Sequence, residues 1–393
     1  MRTFGVEEEL LLVDSTSWRV VPRVSSLMNH YGQQLPQTAQ NLPSDPPSPE
    51  FTGPRLATEF QQEQIEVISR PHSSVGDLAA DIRTGRALAD SCAGEVGART
   101  AALATAPLPA VPHPAPDARV GTMTVRYGLT AREQLTCGCH VHVSVDSDEE
   151  GIAVLDRVRI WLPVLAALAS NSPFSQGADT GYASFRGQAW SRWPSTGPLE
   201  IFGSAAAYHR TIEQILATGV VLDKAMLYFD ARLSNNYPTV EIRVSDVCLD
   251  ADDTVLIAAL ARALVETAAR DWRSGKDPEP VPVAILRLAA WQASRWGTEA
   301  DLLHPVTGVP CKASDVIGLL LEHVSDALAD YGDEARVRHL YGQLLQRGTG
   351  ARQQRDGLER TGSLEGVVAE AVRLTHSQNL DIIHSGTGRK ETS

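Results

Sequence analysis

The stretch FGVEEELLLV, from Phe4 to Val13, sets carboxylates at alternate positions. In an extended strand successive side chains point to opposite faces, so Glu7 and Glu9 share one side while Val6, Glu8 and Leu10 share the other. Two carboxylates side by side on a half-buried surface repel and lose hydration. The arrangement persists when something positive sits between them, a divalent cation or an arginine. A solvated edge strand is the plain alternative for this stretch taken alone. Further along, CGCHVHVSV puts His140, His142 and Ser144 on one face and Val141, Val143 and Val145 on the other. TVEIRVSD likewise sets Glu241 and Arg243 opposite Val240, Ile242 and Val244. A third acidic stretch, RLATEFQQEQIEVIS, holds Glu59 and Glu66. One continuous strand would place those two on opposite faces, so a bulge or a turn between them is needed to bring both to one site.

Hard divalent cations are held by carboxylate oxygens with imidazole as a minor ligand, and substrate phosphates commonly complete the shell. Glu7, Glu9, Glu59, Glu66, His140 and Glu241 suit two or three such ions better than they suit zinc, which the thiolates of Cys137 and Cys139 would be expected to join. No second cysteine pair stands at zinc-finger spacing, which favours small buried side chains around Gly138 over a thiolate site. The segment GADTGYASFRGQAWSRWPSTGP supplies Arg186 and Arg192 beside Trp190 and Trp193. With Arg243, these arginines could neutralise phosphate or carboxylate. There is no GxxxxGK[ST] loop and no GxGxxG after a strand, so any nucleotide must be bound on the sheet itself. Each part is weak alone. The weight lies in several separate strands that each put charged or imidazole groups on one face and apolar groups on the other.

The elements that must carry these residues follow from composition and pattern. A chain of 393 residues, 43% hydrophobic and 21% charged, has ample material for a globular core. Its net charge of −13 argues against nucleic acid or an anionic membrane as partner. Charged residues in MRTFGVEEEL stand where a secretory signal needs an apolar run, no segment is long enough to span a bilayer, and the five cysteines are scattered. These features point to the cytoplasm and reduced thiols. A Pro-rich surface loop is expected from Gln33 to Pro54, and a helix from Ser73 to Thr105. A long helix from Asp148 to Ser170, kinked at Pro163, and one from Ala205 to about Thr218 are also expected. Strands near Met226 to Asp230 and Thr239 to Val244 are joined through the turn-like SNNYP, and the chain from Asp252 to about Thr375 reads as helical. The fold class is therefore α+β, one domain over 1–380 with a flexible tail at 381–393: an antiparallel sheet with a polar face, backed by helices. VIGLLLEHVSDAL, Val316 to Leu328, reads either as core or as a contact between copies in a homo-oligomer.

FGVEEELLLVD, TEFQQEQIEV, TCGCHVHVSV, SFRGQAWSRWP and YPTVEIRVSDVCLDADDTVLIAALARALVE together resemble the bacterial carboxylate–amine ligase family of the YbdK type, the type 2 glutamate–cysteine ligase group related to glutamine synthetase. The likeness runs to about residue 270, and GTGARQQR resembles that family's C-terminal signature. It implies a glutamine synthetase-like catalytic sheet, with ATP entering one end of a funnel and the amino acid the other. By motif, Glu7, Glu9, Glu59, Glu66, His140 and Glu241 match metal ligands, for Mg²⁺ or alternatively Mn²⁺. Arg243 matches the arginine beside the transferred phosphoryl group, and Arg186 the one that meets phosphate or the acyl intermediate; with Glu59 these are the catalytic candidates. His142, Arg243 and Arg192 are the nucleotide-binding candidates. The implied reaction phosphorylates a carboxylate from ATP and lets an amine displace the phosphate, with the γ-carboxyl of glutamate and cysteine or another amine as small-molecule substrates. A guanidino-type kinase on a similar sheet, or a non-catalytic nucleotide- or metal-binding regulator, are the alternatives.

Overall fold

The structure, a computed structural model, describes residues 1–34 and 53–377. Most of the expected Pro-rich loop and all of the expected tail lie outside the described residues. β1 (Phe4–Asp14) is the spine. Around it stand β2 (Arg55–Thr58), β3 (Gln64–Ile68), β4 (Ala98–Ala101) and β5 (Gly138–Ser144). β6 (Phe174–Ser175) and β7 (Ala178–Asp179) form a small separate hairpin, and β8 (Ala231–Leu233) and β9 (Thr239–Asp246) complete the main sheet. A last hairpin joins β10 (Asp301–Leu303) to β11 (Pro310–Lys312). The main sheet has seven antiparallel strands in the order β2-β3-β1-β5-β9-β8, with β4 paired to the far end of β1.

β1 changes character along its length, and the sequence explains why. Its first half alternates, and only one face joins the apolar layer. Its second half, Leu10 to Val13, is apolar throughout and buried throughout, as a strand covered on both sides must be. Phe4 and Val6 pack with Val141, Val143, Val240 and Ile242 against the helices Val75–Gly94, Asp148–Val158 and Ala251–Arg273. The Leu10 to Val13 end packs with the helices Val24–Gln34 and Leu364–Thr375. Glu8, a charged residue amid the apolar face, is held by Arg86: Nη2 lies 2.6 Å from Oε1 and Nε 2.9 Å from Oε2, while the Thr254 hydroxyl donates to Oε1 at 2.6 Å.

Several expected boundaries shift for physical reasons. The helix after Ser74 begins as expected, capped by the Ser74 hydroxyl, but ends at Gly94, and Ala98–Ala101 pairs with β1 instead. Alanine-rich residues accept either state, and a free strand edge decides. The kinked helix is two helices, Asp148–Val158 and Leu162–Leu168, with Pro163 in the first turn of the second, where a missing N–H costs nothing. The strand expected near Met226 to Asp230 is shorter and later, at Ala231–Leu233. The C-terminal region is helical except for the β10–β11 hairpin. Val316, Ile317, Leu320, Val324 and Leu328 are buried within the chain's own core. The GTGARQQR segment opens the helix Gly350–Thr361. Its Gln354 amide donates to the Asn171 carbonyl at 2.9 Å and to Asn171 Oδ1 at 2.7 Å, clamping the start of the long segment that carries Arg186.

Candidate active site

The register of the sheet assembles the polar face row by row. Glu9 stands opposite Glu66 on β3, Glu7 opposite His140 on β5, and His142 opposite Glu241 on β9, which in turn faces Arg232 on β8. Directly opposed residues of an antiparallel pair project to the same face, so one strand's alternation becomes a continuous polar surface. The turn required between Glu59 and Glu66 is present. β2 ends at Thr58, β3 starts at Gln64, and Glu59 leaves the strand to line the same cleft as Glu66.

Glu7, Glu9, Glu59, Glu66, His140, His142, Glu241 and Arg243 all line this cleft, whose volume is about 320 Å³. Two groups of ligand atoms lie close enough to hold an ion: Glu7, His140 and Glu241, and Glu9, Glu66 and His140, each with all its atoms within 4.8 Å of one another. His140 belongs to both. Its Nε2 is buried without a hydrogen-bond partner among the described residues, the state expected of a ligand nitrogen whose ion supplies the missing contact. Four carboxylates and one imidazole form a hard, oxygen-rich donor set that suits Mg²⁺ or Mn²⁺. Cys137, just before β5, and Cys139, within it, are fully buried and contribute to neither group.

The charges sort themselves by neighbour. Burial, and then Glu9, push the Glu59 carboxyl up to about 8; burial, and then Glu7, push Glu66 well above the usual carboxylate range. Against the same burial, His142 and then His140 hold Glu7 well below it, and Arg243 with Arg232 hold Glu241 low. Burial and the neighbouring Arg243 lower His140, whereas for His142 the pull of burial is outweighed by Glu7, with Glu241 adding to it, and the imidazole is raised. The cleft thus has a side at Glu241 where two arginines reach one carboxylate, and an acid-rich side at Glu59 and Glu66 for which no ion pair is found among the described residues.

The arginines separate. Arg243 lies in the cleft, ion-paired to Glu241. Arg186 is 3% exposed and lines not this cleft but a second cavity of about 360 Å³ behind it, whose shared wall is Arg243, Trp190 and Tyr228. Its guanidinium lies against Gly138, where an added Cβ would sit 2.3 Å from Nη2. Arg192 lines neither cavity and pairs with Glu133 at 2.9 Å, so the structure does not bring it to the others. The short helix Phe185–Trp190 turns Arg186 inward, and Arg192 lies beyond its end. Sequence reasoning missed Arg232, whose Nε lies 2.7 Å from Glu241 Oε2. The SNNYP turn was the available signal, since closing it as a hairpin sets Arg232 opposite Glu241. Asp230 and Arg287 were missed as well, with no motif to mark them, and Gly138, though inside the CGCHVHVSV motif, was not read as a contact of Arg186.

An antiparallel sheet with two acid–imidazole groups on its open face and buried arginines beside them is the architecture that the likeness to the carboxylate–amine ligases implies. The comparisons agree. The family model described as Glutamate-cysteine ligase family 2 matches residues 3–373, and the chain belongs to that family. A Streptomyces avermitilis protein provisionally named glutamate–cysteine ligase 2-1 is 52% identical over 95% of this chain and 99% of its own length. One from Paenarthrobacter aurescens with the same provisional name is 50% identical over 96% of both chains. Among solved structures, glutamate–cysteine ligase from Francisella tularensis in complex with AMP is similar in fold. It has a TM-score of 0.64 and 12% identity over 100% of this chain and 95% of that one. A bifunctional glutathione synthetase from Pasteurella multocida aligns with a TM-score of 0.65 and 16% identity over 97% of this chain and 53% of that one. The chain is accordingly a ligase that forms carbon–nitrogen bonds, and the kinase and non-catalytic alternatives are disfavoured. No helix among the described residues is long and apolar enough to cross a membrane.

Proposed function

We propose that this ligase works in the cytoplasm with ATP and Mg²⁺, or Mn²⁺ in its place, to activate the γ-carboxyl of glutamate as an acyl phosphate and pass it to cysteine or another amine. The observation that carries the reading is the meeting of two ion-holding groups at His140 with Arg243 at their side. Ions held by Glu7, His140 and Glu241, and by Glu9, Glu66 and His140, would supply positive charge against the phosphates. Arg243 faces the same space and adds charge where the phosphoryl group passes between oxygens, a step governed by positioning and neutralisation. His142, whose proton Glu7 favours, stands ready to donate to a phosphate oxygen.

A further cavity of about 280 Å³, its lining mostly apolar, shares Glu7, His142 and Tyr237 with the cleft and is bordered by Ile68, Pro71 and Pro238 among others. Its apolar character suits a nucleotide base, while the acid would enter from the other side. Purified protein given ATP, Mg²⁺, glutamate and a panel of amines should release ADP and free phosphate in step with amide. A stable phosphorylated product without free phosphate would establish kinase chemistry instead, and absence of turnover with every pair would refute the ligase reading.

A further inference from the structure

Behind the wall formed by Arg243, Trp190 and Tyr228, the second cavity is lined mainly by apolar groups, among them Leu162, Pro163, Phe229 and Trp291. Its volume of about 360 Å³ falls in the range of small-molecule pockets, roughly 300–1,000 Å³. Among the described residues one carboxylate lines it, that of Asp230. The Arg243 N–H donates to the Asp230 carbonyl at 2.9 Å, extending the β8–β9 ladder by one pair. Because Arg232 faces Glu241 on the reactive side of the sheet, Asp230, two positions along, stands on that same side opposite Arg243. Among the described residues no hydrogen bond or ion pair reaches its carboxylate. The charged groups that face it are Arg186 in the wall and Arg287, exposed at the rim on the helix Val283–Trp296.

Resting on the ligase reading above, we propose that this cavity receives the attacking amine, a primary amine with an apolar, ring-sized body, and that Asp230 accepts the proton the amine loses on attack. The amine sheds its first proton to water and presents a neutral nitrogen. Its lone pair forms the carbon–nitrogen bond at the acyl carbon, the bond from that carbon to the phosphate oxygen breaks, and phosphate leaves with the electron pair. The remaining extra proton on nitrogen passes to the Asp230 carboxylate. Burial pushes the Asp230 carboxyl up to about 7 against the pull of Arg287 and Arg186, which matches a base to neutral pH. The apolar walls explain the body of the amine, since a small polar nucleophile would leave them wet.

The test uses the full-length protein with ATP, Mg²⁺ and glutamate, and reads two products. Hydroxylamine, a neutral nucleophile that needs no base, reports acid activation as hydroxamate. Absence of hydroxamate overturns the ligase reading, and the cavity is then read by calorimetry with 2-phenylethylamine, whose binding Asp230→Asn must weaken if the assignment holds. Where hydroxamate forms, 2-phenylethylamine should exceed methylamine and cysteine in kcat/KM by on the order of tenfold. Asp230→Asn should lower the ratio of amide to hydroxamate on the order of 10²-fold and remove the rise in amide rate through about pH 7. Trp291→Ala, at a partly exposed wall position, should raise KM for 2-phenylethylamine even if Asp230→Asn fails to fold. An unchanged ratio in Asp230→Asn overturns the role of Asp230. Preference for methylamine or cysteine, or an unchanged KM in Trp291→Ala, overturns the amine assignment.

Discussion

Gly138→Ala should leave the protein folded and slow it by about two orders of magnitude. Gly138 lies between two working parts. Its backbone N–H donates to Glu9 Oε2 at 2.6 Å, and the Arg186 guanidinium rests on its bare Cα. A methyl there would stand 2.3 Å from Nη2, 2.9 Å from Cζ and 3.1 Å from Nε of Arg186. Ordinary contact begins near 3.5 Å, so the guanidinium must withdraw by roughly 1 Å. The far end of a long side chain can do this cheaply, and the expected stability loss is at the low end of the roughly 1–3 kcal/mol typical of overpacking. A misplacement of that size in a positioning group costs about 10²-fold in rate, equivalent to about 2.7 kcal/mol. The assay is kcat/KM for ADP release beside the thermal midpoint, in Gly138→Ala, Arg186→Ala and the double variant. If Arg186 transmits the effect, Gly138→Ala adds nothing once Arg186 is removed. Wild-type kcat/KM in a folded Gly138→Ala protein refutes the reasoning; full additivity in the double variant moves the effect to Glu9.

Glu9→Gln should abolish turnover while the fold persists, read as loss of ADP release with an unchanged circular dichroism spectrum; wild-type rates remove Glu9 from the site. Arg86→Ala strands a buried carboxylate and should cost about 3–5 kcal/mol in denaturant unfolding, whereas a loss well under that range would show that Glu8 finds another partner. Mg²⁺ should bind more tightly as pH rises through about 8, with protons released on binding, because Glu59 and Glu66 are held protonated without it. The sign for stability is the opposite. With their carboxyls raised in the folded state, the metal-free protein is favoured at low pH and loses that contribution as pH climbs through about 8. Calorimetry in buffers of different ionisation enthalpy measures the proton count, and pH-independent affinity would refute the linkage.

The polar face was legible because alternation is a local property. Glu7 with Glu9, His140 with His142, and Glu241 with Arg243 each lie two residues apart on one strand, and the sheet needed only to set those strands side by side. Even the turn between Glu59 and Glu66 was forced by parity. Residues delivered by irregular chain were not legible in this way. Arg186 and Arg192 sit in the same tryptophan-rich segment, yet the short helix Phe185–Trp190 sends the first into a cavity wall while the second finds Glu133. Arg232 belongs to β8, too short to show a pattern, and Asp230 immediately precedes that strand; the position of both is set by hydrogen bonds to β9. Ala98–Ala101 read as helix for a similar reason, since only the free edge of β1 makes it a strand.

Glu8 is the member of the acidic trio that faces away from the cleft, and its clasp by Arg86 bears on how the sheet is put together. A slip of β1 by a single residue would swing Glu8 into the cleft, bring Glu7 or Glu9 into its slot beside Arg86, and drive the other into the apolar place of Val6 or Leu10, which are 2% and 0% exposed. The cost of the wrong register is thus one carboxylate buried among apolar side chains with no partner, so the valine and leucine that flank the glutamates proofread the orientation of the strand.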